Sequence, residues 1–249
     1  MAAFRAELKK AHRRHDLAFC LLLPLILVLW VGGLAPASED ELSNAYSALF
    51  YSIPVLEAIL LPVMMAVLAS RLWDLEVKGN TLKLLYTLQS RRSLFAGKAV
   101  FGVLEVLVTV AVELACIPVL GIVHGYTEAF PKAQFVYLFV CTLAVDLMLF
   151  FGEFLLMLRC GNPLPALCVG IVGSLVGLFA AFMPPLVSYF VPWGYYIPLG
   201  SYVVAHWDPT AHTVTYGTRP CSWGLLAFTI LLGIGLFYAA WRRVQTEEV

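Results

Sequence analysis

The stretch Ala45-Tyr-Ser-Ala-Leu-Phe-Tyr-Ser-Ile-Pro-Val-Leu-Glu57-Ala-Ile-Leu-Leu-Pro-Val-Met-Met-Ala-Val-Leu-Ala69 holds a single charged residue, Glu57. A helix rising about 1.5 Å per residue needs about 20 such residues to cross about 30 Å of hydrocarbon, so the run reads as a membrane span. Five more segments read the same way, from Leu17 to Ala35, Ala99 to Val123, Gln134 to Leu158, Ala166 to Val191 and Trp223 to Trp241. The expectation is an all-α polytopic membrane protein with six transmembrane helices, forming one transmembrane domain over 1–249.

Composition agrees with lipid as the main solvent. The chain is 61% hydrophobic and 13% charged, where a soluble domain carries about a quarter charged residues. Equal numbers of acidic and basic residues give no electrostatic reason to expect nucleic acid. The six cysteines form no C-x-x-C pair, which argues against a disulfide framework or a zinc site. The basic N-terminus leads into Leu17 to Leu34 without a cleavage site in a proper context, so this reads as a retained helix.

Charge placement orients the spans. Arg5, Lys9, Lys10, Arg13 and Arg14 precede the first span, and Arg71, Lys78, Lys83, Arg91, Arg92 and Lys98 lie between the second and third. Arg159 follows the fourth and Arg242 with Arg243 the sixth, leaving only Lys132 and Arg219 for the other side. Positive charge stays cytoplasmic, so both termini are expected inside. The opposite side then carries the acidic Glu39, Asp40 and Glu41 and a longer loop, 192–222, rich in Trp193, Tyr195, Tyr196, Tyr202 and Trp207. That loop is expected to lie on the bilayer or fold back into it; backbone entering lipid must be helical or buried against protein.

The cytoplasmic connection 71–98 is the most informative segment. Gly79 and Asn80 punctuate it, Asn80 or Thr81 suits a helix cap, and Leu82, Leu85, Tyr86 and Gln89 recur at helical spacing. A short amphipathic helix follows, suited either to the inner leaflet or to a partner's groove. The arm, 1–16, offers a second amphipathic face through Phe4, Leu8 and Ala11, with Arg5, Lys9 and Arg13 among the polar positions. Lipid anchoring is its ordinary reading.

The first span, Glu76, the run Gly79-Asn80-Thr81-Leu82-Lys83-Leu84-Leu85, the Arg91-Arg92 pair and Lys98 together resemble the type-2 ABC transporter permeases. Within that class they resemble most the lantibiotic-immunity permeases of the EpiE/MutE and EpiG/MutG group. The resemblance implies that the helix after Glu76 is a coupling helix seated in a separate ABC ATP-binding subunit, with Glu76, Leu82, Lys83, Leu85 and Tyr86 as the coupling residues. It also implies a second permease subunit, identical or sister, an interfacial arm beside the ATPase, and a multi-pass protein of the bacterial plasma membrane. The substrate implied is an amphipathic antimicrobial peptide, expelled to confer immunity.

The chain lacks G-x-x-x-x-G-K-[ST]; at Gly97-Lys98-Ala99 both the earlier glycine and the hydroxyl are missing. No cofactor is expected in this chain, and ATP with Mg belongs to the partner.

Five carboxylates fall inside predicted spans: Glu57, Glu105, Glu113, Asp146 and Glu153. A charge near the bilayer centre costs about 3 kcal/mol on insertion scales, so these should face protein or a wet cavity. Glu57, Glu113 and Asp146 are expected to share a depth, with Glu105 and Glu153 nearer the cytoplasmic side. They suit a translocation path or buried helix-to-helix hydrogen bonds. Gly173 and Gly177 permit close packing, while Pro54, Pro62 and Pro118 predict kinks. His206, Asp208 and His212 read as an ordinary polar loop. An ATP-driven exporter of antimicrobial peptides fits best; the alternatives are a proton-coupled secondary transporter using the membrane acids and a non-transport sensor or scaffold.

Overall fold

A computed structural model of the chain describes residues 6–11, 15–32, 39–79, 81–180, 182–208 and 213–246. Of the arm, Phe4, Arg5, Arg13 and Arg14 lie outside the described residues, as do Asn80 and His212. The N-terminal helix α1 is described over 6–11. It is followed by α2 (Asp16–Gly32), α3 (Glu39–Leu42), α4 (Ala45–Lys78), α5 (Leu82–Leu88), α6 (Arg91–His124), α7 (Lys132–Cys160) and α8 (Pro163–Ala180). Then come α9 (Pro185–Ser188), a 3-10 turn (Pro192–Gly194), α10 (Tyr196–Leu199), strands β1 (Tyr202–Asp208) and β2 (Thr213–Thr218), and α11 (Trp223–Thr246).

Five helices, α4, α6, α7, α8 and α11, are long and apolar enough to cross a membrane, and α2 is a shorter apolar helix of 17 residues. At 34 residues each, α4 and α6 extend about 50 Å, beyond the hydrocarbon thickness. The connection 71–98 is therefore largely helical: α4 continues to Lys78 and α6 starts at Arg91. The hydropathy window stops where charged residues begin, but backbone hydrogen bonding continues beyond it. Both helices run unbroken through Pro54, Pro62 and Pro118.

The helix α7 is central, packed against α11, α4, α8 and α6, while α4 also packs on α8 and α2 on α6. Aromatic contacts fill this core: the ring of Phe154 lies 6.0 Å from those of Trp73 and Phe150 and 6.1 Å from that of Phe95. Gly125 and Gly161 close α6 and α7 in the left-handed conformation, which only glycine adopts without a Cβ penalty. Outward-facing Leu22, Leu29, Trp30, Val172, Phe179, Leu231 and Ile234 are exposed, as lipid contact requires.

Ion pairs and hydrogen bonds identify the bundle's two ends. At one, Arg71 pairs with Asp16 at 3.0 Å and Arg91 donates to the Gln245 carbonyl at 3.0 Å. At the other, Glu128 accepts from the Ser47 amide at 3.0 Å and its hydroxyl at 2.5 Å, a carboxylate at the start of α4 where the helix dipole favours it.

Two features depart from six plain spans. Span five was expected to reach Val191, but α8 ends at Ala180; the chain turns and re-enters the bundle as the 3-10 turn and α10. These short helices pack on α8, α4 and α7. Burial against protein satisfies the backbone there, as the bilayer demands. The second departure is an antiparallel hairpin, β1 with β2, in the loop 192–222 of an otherwise helical chain.

Candidate functional site

Two buried polar clusters stand out, one at the basic end and one midway along the bundle. The first joins α1, α4, α5 and α6. Glu76, near the end of α4, is buried; its Oε1 accepts from Lys10 at 2.5 Å and from Lys98 at 3.0 Å. Its Oε2 accepts from the Thr81 hydroxyl at 2.9 Å, at the start of α5. Lys98 is completely buried, also donates to the Leu72 carbonyl at 2.5 Å, and lies over the Trp73 ring at 5.6 Å. Glu7 completes the group, 2.9 Å from Lys10 and 3.3 Å from Lys98. Burial pulls the Lys10 pKa down, yet hydrogen bonds to Glu76 and Glu7 outweigh it and hold the ammonium above the ordinary lysine range.

The arm thus presents Glu7 and Ala11 inward, one helical turn apart, while Leu8 is exposed. Of the expected Phe4, Leu8 and Ala11 face, Ala11 is turned inward and Leu8 outward, and Glu7 joins the inward side because it meets two lysines. Hydrophobic periodicity carries no signal for such a pairing.

In α5, Leu85 and Tyr86 are half-buried against the chain's own core, and the Arg91 guanidinium sits 4.8 Å over the Tyr86 ring. Among the described side chains of α5, the strongly exposed apolar residues are Leu84 and Leu88, four apart on one face. Their spacing was available in the sequence. Leu82 and Lys83 lie within α5, but their side chains are outside the described set. Thr81 precedes α5, its hydroxyl turned to Glu76 and not to the helix's own amides.

The second cluster gathers Glu57 of α4, Glu113 of α6 and Asp146 of α7, all with no exposed surface. Thr142 donates to Glu57 Oε1 at 2.9 Å, and Tyr196 of α10 donates to Asp146 Oδ1 at 2.5 Å. Glu113 interacts with both other carboxyls. Glu105 is buried apart from these, within electrostatic reach of Cys20 on α2. Glu153 is also separate, interacting with the Trp193 indole of the re-entrant turn. Tyr196 and Thr142 were not found by sequence reasoning; a tyrosine in an aromatic loop carries no mark that it will reach the bundle's interior. His206 is exposed on β1, and no metal-holding group of His, Cys, Asp and Glu occurs among the described residues.

Long apolar helices, a lipid-compatible exterior and span carboxyls turned to the interior define a multi-pass helical membrane protein. The chain belongs to a specific family of these, the ABC-2 family transporter proteins, whose family model matches residues 3–180, from the arm to the end of α8. No curated protein sequence matches the chain. Membership makes it the permease component of an ABC transporter and implies a separate ATP-binding partner subunit.

Proposed function

We propose that the chain is the membrane subunit of an ATP-driven exporter that removes amphipathic antimicrobial peptides such as lantibiotics from a bacterial plasma membrane. It works with an ATP-binding subunit holding ATP and Mg and with a second permease, identical or sister. Both termini are cytoplasmic, α2 is the first of six spans, and α5 is the coupling helix. The observation that carries the coupling reading is the split face of α5: Leu84 and Leu88 are exposed at the bundle's basic end, while Leu85 and Tyr86 bind it to its own chain. A short helix anchored on one side and apolar on the other suits a partner's groove. Family membership supports the ATP-driven partner, and the Lys and Arg distribution supports the orientation.

In this reading Glu76 positions the coupling helix by linking its first turn to α1 and α6, so motion imposed on α5 passes directly into two long helices. The test is co-purification with the co-expressed ATPase. L84A/L88A is expected to lower ATPase recovery at least about tenfold, since an apolar anchor at an interface contributes about 2 kcal/mol. Full recovery together with intact peptide resistance would remove α5 as the coupling element.

A further inference from the structure

At the hairpin end of the bundle, the start of α7, the start of α11 and the base of the hairpin form a cavity of about 570 Å³. Much of its wall is apolar: Val136 and Val140 stand one helical turn apart on α7, and the Tyr137 ring meets that of Trp223 edge-on at 5.4 Å. Val136 and Trp223 are 61% and 66% exposed, so the cavity opens sideways, where α7 and α11 meet lipid. Polar groups gather toward its outer end, with Gln134 in the first turn of α7 and Arg219 at the hairpin base. Charge here is one-sided. Lys132 and Arg219 are the two Lys or Arg residues that charge placement leaves on this side of the bilayer; Arg219 lines the cavity, and the exposed Lys132 adjoins it one residue before Ala133. No Asp or Glu lines the cavity, and neither cation makes an ion pair among the described residues. The Arg219 guanidinium bonds only to the Gly200 and Ile197 carbonyls, which carry no net charge and occupy two of its five donors. Pro131, which precedes α7, makes no side-chain cap, so the positive end of a 29-residue helix adds to the same charge.

We propose that this cavity binds an anionic phospholipid of the leaflet at the hairpin end. The phosphate sits between Lys132 and Arg219, beside the first turn of α7, and an acyl chain runs along Val136, Val140 and Trp223. A free phosphate would leave the apolar wall unfilled. An acidic peptide would bring backbone N–H and C=O groups against side chains that cannot serve them. A second copy of the chain, packed here about a two-fold axis, would bring its own Lys132 and Arg219 to the same contact, like charge against like. A zwitterionic headgroup carries its own cation and gains little from these two. A headgroup with net negative charge gains from both, about fivefold in affinity for each. The inference goes beyond the exporter reading and depends on neither its substrate nor its orientation.

Cys221 lines the cavity and reports its occupancy, while the exposed Cys160, at the far end of α7, is an internal control. The delipidated full chain in dodecyl maltoside is alkylated with N-ethylmaleimide in the presence of dioleoylphosphatidylglycerol or dioleoylphosphatidylcholine, and both cysteines are followed by peptide mass spectrometry. Cys221 is expected to react in the bare chain. Phosphatidylglycerol should protect it at about one tenth or less of the concentration that phosphatidylcholine needs, with the Cys160 rate unchanged. K132E, at an exposed side chain, should raise the protecting concentration of phosphatidylglycerol about fivefold or more. V140W, at a lipid-facing position, should remove the lipid's effect by filling the slot. Equal protection by the two lipids, no reaction of Cys221 in the bare chain, or undiminished protection in K132E or in folded V140W would each overturn the site; if V140W aggregates, K132E decides. Protection by inorganic phosphate alone would make this a bare anion site and overturn the lipid. A dimer in native mass spectrometry that V140W dissolves and phosphatidylglycerol leaves intact would give the face to a second copy and overturn it too.

Discussion

Lys98, without any exposed surface, donates to Glu76 Oε1 at 3.0 Å, so a fully buried ammonium sits where α4, α6 and α1 converge. Burying such a charge is costly unless it is paired, and here Glu76 and Glu7 both face it.

Removing one member should therefore be worse than removing both. E76Q leaves Lys98 with weakened compensation and is expected to cost about 3–5 kcal/mol, while E76Q/K98M should recover much of that loss. Thermal unfolding of the detergent-purified chain measures it. A double variant no more stable than E76Q would mean that the cluster's value lies in packing and not in the charge pair.

The orientation is tested by labelling with a membrane-impermeant thiol reagent on intact cells. A cysteine replacing Glu39, exposed in α3, should react, and one replacing Thr87, exposed in α5, should react only after permeabilisation. The reverse pattern would invert the chain and remove the ATPase-facing role from α5.

Much of this fold was legible because the bilayer enforces it: Glu57, Glu113 and Asp146 were expected at one depth, and the structure brings them together. What stayed hidden depends on partners distant in sequence. The apolar run 166–191 gives the same hydropathy whether it continues as a span or breaks at Ala180 and doubles back; the Pro184-Pro185 pair in the sequence signals a break, but where the chain goes next shows only in the meeting of Gly177 with Gly194. Glu7 and Lys10 read as ordinary arm charges until Glu76 and Lys98 are beside them. Leu84 and Leu88 could have been read from their spacing, but which face of α5 points outward required knowing what Leu85 and Tyr86 touch.

Neutral replacements separate charge from shape in the membrane cluster. E113Q and D146N keep volume and hydrogen bonding, so both chains are expected to insert and to retain the ATPase, while peptide resistance falls. Normal resistance in both would exclude a required carboxyl charge, and loss of assembly would assign the acids to helix packing.

Arg219 fixes the junction between the hairpin and the re-entrant segment. Its Nε donates to the Gly200 carbonyl at 2.5 Å, another guanidinium nitrogen donates to the Ile197 carbonyl, and its backbone amide donates to the Ser201 carbonyl at 2.9 Å. Those carbonyls lie at the end of α10, where the helix leaves acceptors unfilled and favours positive charge. A planar fork can serve two carbonyls at once; a lysine brings the same charge but a single flexible point of contact. R219A and R219K are therefore both expected to loosen α10, by about 1–2 kcal/mol, or about tenfold in local opening. Hydrogen exchange at the Leu199 and Gly200 amides, which close onto the Tyr195 and Tyr196 carbonyls, reads this directly. Exchange in the middle of α7 should not change. If R219K matches the native chain while R219A does not, the positive charge at the helix end holds the segment and the two-carbonyl bridge is dispensable.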